Sequence, residues 1–294
     1  MLARPMSDAA LDPRADQALR VMTNDHAFRV ITATTSASVR EIVKRQGATG
    51  PVAVALGNLV TSAALLRETM APDLRVQGLL RGGGARGHLV GDSYPDGTLR
   101  GLVQVKDPNS FSLGEGALLQ MMRHLVTGGL QQGVVDVARA GGVGEALTGY
   151  LHASEQLVCV ARVGTKLEGG EVVAAGGYIV QPLPEVERPA HMIMTQRLED
   201  FPAIESWLDR DDLTAELLST ELTYGMETTE LARTGLHFGC RCSESALLGA
   251  LATIDRGELE AMIQAGEPLE IGCDYCGEQY RIAVERLRSL LVAS

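Results

Sequence analysis

Four of the five cysteines in this 294-residue chain fall near its end, as Cys240-x-Cys242 and Cys273-x-x-Cys276. Two close pairs some thirty residues apart are the pattern of a tetrahedral metal site. Each pair delivers two thiolates from one short turn, and the fold between them brings the turns together. Sulfur ligands favour Zn2+ over the oxygen-seeking calcium and magnesium, with an iron–sulfur cluster as the rival. Neighbouring thiols can also join as disulfides once a metal is lost. His237, three residues before Cys240, is a fifth candidate, but four sulfurs already fill a tetrahedron and it reads as a strand residue. Cys159, set among Leu157, Val158, Val160 and Ala161, reads as a buried, inert thiol.

The chain is long enough for one large domain and a small one. Hydrophobic residues make up 45% of it and aromatics only 4%, so its core must rest on Val, Leu, Ile and Ala. A net charge of -11 argues against a nucleic-acid partner, because phosphate contact needs clustered Lys and Arg. Residues 1–20 mix charges and prolines where a secretory signal needs an apolar run. No window of about twenty residues free of charges and turn residues suggests a membrane span. The expected location is cytoplasmic, where thiols stay reduced and permanent disulfides are disfavoured.

Residues 1–184 read as an α+β core domain. Pro51 opens a helix with Leu56, Leu59, Val60, Ala63, Ala64 and Leu66 around most of its circumference, hence a buried one. Strands are expected at Leu74–Leu80, His88–Asp92, Leu99–Val105, Ala117–Val126, Leu130–Val137 and Leu157–Val163, with a helix at Val143–Glu155. Tight turns such as Tyr94-Pro95-Asp96-Gly97 favour a largely antiparallel sheet with packed helices. Residues 185–232 form an acidic linker: twelve acids against Arg188, Arg197 and Arg210 give it -9 of the net charge. Met194, Leu198, Phe201, Ile204, Leu208, Leu213, Leu217 and Leu218 recur at helical spacing, and Trp207, the single tryptophan, is expected to anchor that stripe. Such a segment is either an ordinary solvated helix or one held folded only by docking on its neighbours. Residues 233–294 form a small zinc-binding domain. Helices are expected at Ser243–Ala252 and from Asp255 to Ala265, a hairpin at Leu269–Gly272 and Gln279–Ile282 carrying Cys273 and Cys276, and a last amphipathic segment from Val284 to Leu291. So little core needs a staple.

Other motifs are weak. Gly82–Gly87 matches G-x-G-x-x-G, but a strand, not a helix, is expected after it, so it reads as a hairpin tip. There is no Walker-A loop, nucleophile elbow or His-Glu-x-x-His, and His26, His88, His124, His152 and His191 show no ligand spacing. The chain is not expected to be an enzyme.

The run Leu236-His237-Phe238-Gly239-Cys240-Arg241-Cys242-Ser243, with Gly257-Glu258-Leu259, Glu270-Ile271-Gly272-Cys273-Asp274-Tyr275-Cys276 and Tyr280, resembles the switch segment of the 33 kDa chaperonin family, the redox-regulated heat-shock holdases. Upstream, Leu56-Gly57, Asp96-Gly97 with Leu99-Arg100-Gly101, Glu145-Ala146-Leu147, Ser154-Glu155-Gln156, and Gly176-Gly177 with Gln181 and Leu183-Pro184 resemble its core landmarks. The resemblance covers most of residues 50–290. It implies one zinc on Cys240, Cys242, Cys273 and Cys276 in a largely inactive reduced state. It further implies that hypochlorous acid, or peroxide with an unfolding stress, produces the disulfides Cys240–Cys242 and Cys273–Cys276 and expels zinc. The linker stripe and the core surface beneath it would then bind unfolded client proteins. The resemblance also implies a homodimer when oxidised, and ATP-independent holding until clients pass to ATP-driven chaperones. Two other readings stay open. A constitutive zinc-ribbon interaction module is disfavoured for nucleic acid by the net -3 of residues 233–294. A thiol oxidoreductase using Cys273-x-x-Cys276 lacks the surrounding βαβ pattern.

Overall fold

A helix that is apolar on every side must be enclosed on every side, and the fold is organised around one. The computed structural model describes residues 12–69, 74–84, 86–124, 128–184 and 186–292. Residues 1–11 of the expected core domain, Val126 at the end of an expected strand, and Glu185 at the expected start of the linker lie outside the described residues. Strands β1 (Gln17–Thr23) and β2 (Phe28–Thr34) lead into helices α1 (Ser36–Arg45) and α2 (Gly50–Glu68). Next come β3 (Val76–Arg81), β4 (Gly87–Ser93), β5 (Thr98–Val105), β6 (Leu118–His124) and β7 (Leu130–Asp136). They are followed by α3 (Val137–Ala140), α4 (Val143–Ser154), β8 (Val160–Glu168) and β9 (Glu171–Pro182). Helices α5 (Arg188–Asp200), α6 (Ile204–Leu208) and α7 (Ala215–Leu222) precede β10 (Thr228–Gly235) and β11 (His237–Phe238). The remainder is α8 (Glu244–Leu251), α9 (Arg256–Ala265), β12 (Leu269–Gly272), β13 (Gln279–Ile282) and α10 (Val284–Val292). The chain divides into two compact units, Met1–Phe238 and Gly239–Ser294.

In the larger unit, one sheet has the order β10-β1-β2-β9-β8 and the other β11-β5-β4-β3-β6-β7. Every pairing in them is antiparallel except the two-residue parallel contact of β11 with β5. The expected largely antiparallel α+β architecture is the one observed. Helix α2 lies between the sheets, packed on β3, β4 and β5 of one and on β2, β8 and β9 of the other. It is long and apolar enough to cross a membrane, but its apolar surface is spent on the two sheets: Leu56, Leu59, Val60, Ala63, Ala64 and Leu66 are fully buried. Glycines set how closely the sheet approaches it. A Cβ at Gly91 would meet the backbone of Leu59 and Val60 at 3.2 Å.

The acidic segment folds onto the opposite face of the first sheet. Met194, Ile204, Trp207, Ala215, Leu218 and Leu222 are buried against Leu19, Val21, Phe28, Val30, Tyr178 and Val180. Trp207 stacks on Phe201 with ring centroids 5.3 Å apart, and Phe201 meets Tyr178 edge-on at 5.7 Å. The apolar stripe thus faces inward and the carboxylates outward. Strands β1, β2, β9 and β10 have no counterpart among the expected elements, whereas β11 holds His237, expected as a strand residue. The strand expected at Leu157 starts at Val160, because the Leu157 amide donates to the Leu151 carbonyl and finishes α4 instead. The glycine run Gly82–Gly87 leads directly into β4, which removes the dinucleotide reading; its Ala85 is outside the described residues.

Leu59, fully buried and pressed against both Gly78 and Gly91, tests this arrangement. Leu59→Ala is expected to destabilise the larger unit by about 2–5 kcal/mol. The measurement is a lower urea midpoint at unchanged m-value.

Candidate metal centre

The smaller unit has little with which to hold itself together. Its buried apolar cluster consists of Leu248, Leu259, Ile282 and Leu287, bordered by half-buried neighbours. Local signals shape it. Ser243 caps α8 through its hydroxyl, which accepts from the Ala246 amide at 3.1 Å. Asp255 caps α9 by accepting from Gly257, and Gly266 closes that helix in the left-handed region at φ 72°. Strands β12 and β13 pair with Ile271 opposite Tyr280 and Gly272 opposite Gln279. Their turn is closed by the Cys273 amide donating to the Glu278 carbonyl (2.8 Å) and the Gly277 amide donating to the Cys273 carbonyl (2.7 Å). That turn presents Cys273 and Cys276 from one side, and the stretch before α8 presents Cys240 and Cys242 from the other.

The four sulfurs converge, all within 4.8 Å of one another. Cys240 Sγ lies 3.6 Å from Cys273 Sγ, and Cys242 Sγ lies 3.4 Å from Cys276 Sγ. Four sulfurs at about 2.3 Å from a central ion form a tetrahedron with edges of about 3.8 Å. The spacings observed are close to that edge and well beyond the roughly 2.05 Å of a disulfide. All four cysteines are reduced and half-buried. The set fits a metal ion by number, softness and geometry.

Electrostatics give the same reading. Burial pushes the Cys276 thiol up to about 12 and raises that of Cys240. Cys242 is drawn down to about 7, first because it accepts a hydrogen bond from the Tyr280 hydroxyl at 3.2 Å. Without a cation, burial favours the protonated thiols of Cys240 and Cys276. A divalent ion would replace them and compensate the half-buried negative charge. Backbone amides also serve the sulfurs, that of Cys242 toward Cys240 Sγ and that of Glu278 toward Cys276 Sγ.

The other candidates stay outside the group. His237 sits on β11 with Nε2 3.3 Å from the Thr98 hydroxyl. Cys159 is half-buried against the main core, and burial pushes its thiol up to about 11, which keeps it protonated at neutral pH. The contribution of Tyr280 is not legible in the sequence, because it depends on the hairpin register.

Comparison with known proteins places this architecture. The family model described as Hsp33 protein matches residues 16–283. The 33 kDa chaperonin of Syntrophotalea carbinolica is 32% identical over 289 residues, covering 94% of this chain and 99% of that protein. The 33 kDa chaperonin of Thermus thermophilus is 30% identical, covering 93% of this chain and 86% of that protein. The crystal structure of a 33 kDa chaperonin (heat shock protein 33 homolog) from Thermotoga maritima superposes with a TM-score of 0.76 at 23% identity, covering 95% of this chain and 99% of that one, a likeness of fold. With a matching fold, full-length relatives and the family model spanning nearly the whole described chain, the protein belongs to the Hsp33 family.

Proposed function

We propose that this protein is a redox-regulated, ATP-independent holdase of a reducing, cytoplasmic compartment, inactive while zinc is bound and activated when its thiols are oxidised. The observation that carries this reading is the convergence of four sulfurs in a unit whose core is four aliphatic side chains. Domains this small rarely gain more than about 3–5 kcal/mol from their hydrophobic core. Structural zinc contributes roughly 10–16 kcal/mol of apparent binding free energy in zinc-finger peptides at neutral pH. The ion would decide whether residues 239–292 are folded.

Cys240, Cys242, Cys273 and Cys276 would hold the ion. Bound zinc would keep them as thiolates and staple the two turns. A thiolate attacks one oxygen of a peroxide, breaking the O–O bond to give a sulfenic acid and hydroxide. A neighbouring thiolate then attacks that sulfur, forming the S–S bond and releasing a second hydroxide. Each pair loses two electrons, so the four sulfurs consume two peroxides. We assign the disulfides to Cys240–Cys242 and Cys273–Cys276. Once the unit loosens, partners two or three residues apart stay close, whereas those across the cluster must close a loop of more than thirty residues.

The signal would then travel along the chain. Gly239 alone separates Cys240 from β11, which is held by two residue pairings with β5 and by Arg45 over the Phe238 ring at 4.8 Å. Fraying of β11 would weaken the anchorage of β10 and of the acidic segment before it, whose helices α5, α6 and α7 cover the apolar face of the first sheet. Uncovered, that face and the stripe carrying Met194, Ile204, Trp207 and Leu218 would take unfolded clients. Pairing of two oxidised copies and hand-over to ATP-driven chaperones complete the proposal.

The reduced protein is expected to carry one zinc per chain and to suppress client aggregation poorly. Oxidation should release the zinc, lower the thiol count from five to one (Cys159) and switch suppression on, as read by a zinc chromophore, thiol titration and light scattering. Equal suppression by both forms would refute the switch. A second test leaves the cysteines untouched. A Cβ at Gly164 would meet Leu208 Cδ1 at 2.7 Å and Ile204 Cγ2 at 3.1 Å, so Gly164→Val should push α6 off the sheet. The expected result is normal zinc content, red-shifted Trp207 emission and strong suppression while reduced. Red-shifted emission with no gain in suppression would show that this cover does not hide the client surface.

A further inference from the structure

Tyr280 lies on β13 two residues before Ile282, and the alternation of a strand puts both side chains on one face. Ile282 is fully buried in the cluster of the small unit. Tyr280 extends from the same face, and its hydroxyl reaches Cys242 Sγ at 3.2 Å. The donors to Cys240 and Cys276 named above are backbone amides, supplied by the turns themselves. Cys242 instead takes a side-chain donor delivered from the far strand of the opposite turn. One hydroxyl therefore links the Cys240–Cys242 segment to the hairpin bearing the other two sulfurs.

We propose that Tyr280 is a positioning residue of the metal centre that sets how readily the switch fires, by donating its hydroxyl hydrogen to the Cys242 thiolate. A hydrogen bond to an anionic sulfur occupies one of its three electron pairs, leaving less density to attack an oxidant, and fixes the direction in which another pair meets the ion. Removing the donor leaves a sulfur that holds the ion less well and attacks oxidants faster. The effect is local: it concerns Cys242, and through it the Cys240–Cys242 disulfide, more than Cys273–Cys276. The inference rests on the redox-switch reading for its consequence, but on the hydrogen bond alone for its structure.

The test uses the full-length reduced protein with Tyr280→Phe, which keeps the ring and removes the hydroxyl. Ile271→Val serves as the control, since it perturbs the same hairpin pair without touching a donor. Expected for Tyr280→Phe are a zinc affinity weakened about tenfold or more by chelator competition, a shifted sulfur-to-cobalt charge-transfer band after cobalt(II) substitution, and faster formation of Cys240–Cys242 relative to Cys273–Cys276 by peptide mapping. Ile271→Val should leave the charge-transfer band and the order of disulfide formation as in the parent. Affinity within about twofold of the parent with an unmoved cobalt band overturns the proposal, as does an equal change in Ile271→Val. Should the parent bind zinc yet keep it under oxidant, the switch reading fails, while the affinity and cobalt measurements still decide for or against Tyr280.

Discussion

The smaller unit depends on charge compensation among four sulfurs. Four thiolates within 4.8 Å of one another repel strongly, and four thiols in their place would leave the two turns with no more than weak sulfur contacts. Neither state of the sulfurs alone would hold the turns together; a divalent cation in their midst would. The larger unit has no such dependence. Helix α2 is sealed between two sheets, and its buried leucines each contribute about 1.5–3 kcal/mol on leaving water. With the proposed metal centre, one chain would join a self-sufficient fold to a conditional one, so a small chemical event in the second could occur without unfolding the first.

The acidic segment lies between these extremes in stability. Its stripe is buried on the first sheet, and polar bonds stitch it down: Thr32 donates to the Ala215 carbonyl at 2.7 Å and Lys166 pairs with Asp209 at 2.8 Å, while Arg197 donates to the Leu222 carbonyl at 3.0 Å within the segment. The exposed ion pair is screened by solvent and adds little. Helices of five to thirteen residues have little stability of their own. The burden falls on apolar contact, chiefly Trp207, Phe201 and Tyr178, against mutual repulsion of the carboxylates on the outer side. A cover built this way is attached by the same hydrophobic surface it conceals.

What the sequence made legible is what side chains dictate locally. The β12–β13 hairpin, the cap at Asp255, the stop at Gly266 and the apolar girth of α2 all show in residue types at fixed spacing. Strands β3 to β7 show in their punctuation. Strand β10, Thr-Thr-Glu-Leu-Ala-Arg-Thr-Gly, is invisible there because it offers no apolar alternation. It becomes a strand by hydrogen-bonding β1, with Thr228 opposite Thr23 and Gly235 opposite Gln17. Strands β1, β2 and β9 are covered on both faces, by α2 and by the acidic segment, which blurs the period-two pattern. The bond from Tyr280 to Cys242 needs the register of a hairpin and the path of a distant loop together, neither of which a spacing rule supplies.

Strand β10 also changes how the acidic segment can open. The segment leaves the first sheet at the end of β9 and returns to it at the start of β10, so both of its ends are fixed to the same sheet. Release of α5, α6 and α7 would open a closed loop and would not free a trailing arm. Loop-closure entropy rises only slowly with length, so melting these helices inside a fixed loop gains less disorder than freeing one end would. The cover is then harder to lose by chance and quicker to re-dock, since its own binding face stays within a loop's reach. Severing β10 from β1 removes that restraint. On the proposed reading, the ladder between these strands, placed between the sulfur-bearing unit and the cover along the chain, is the element through which a local loss of order at Cys240 would become a large change in exposed apolar surface.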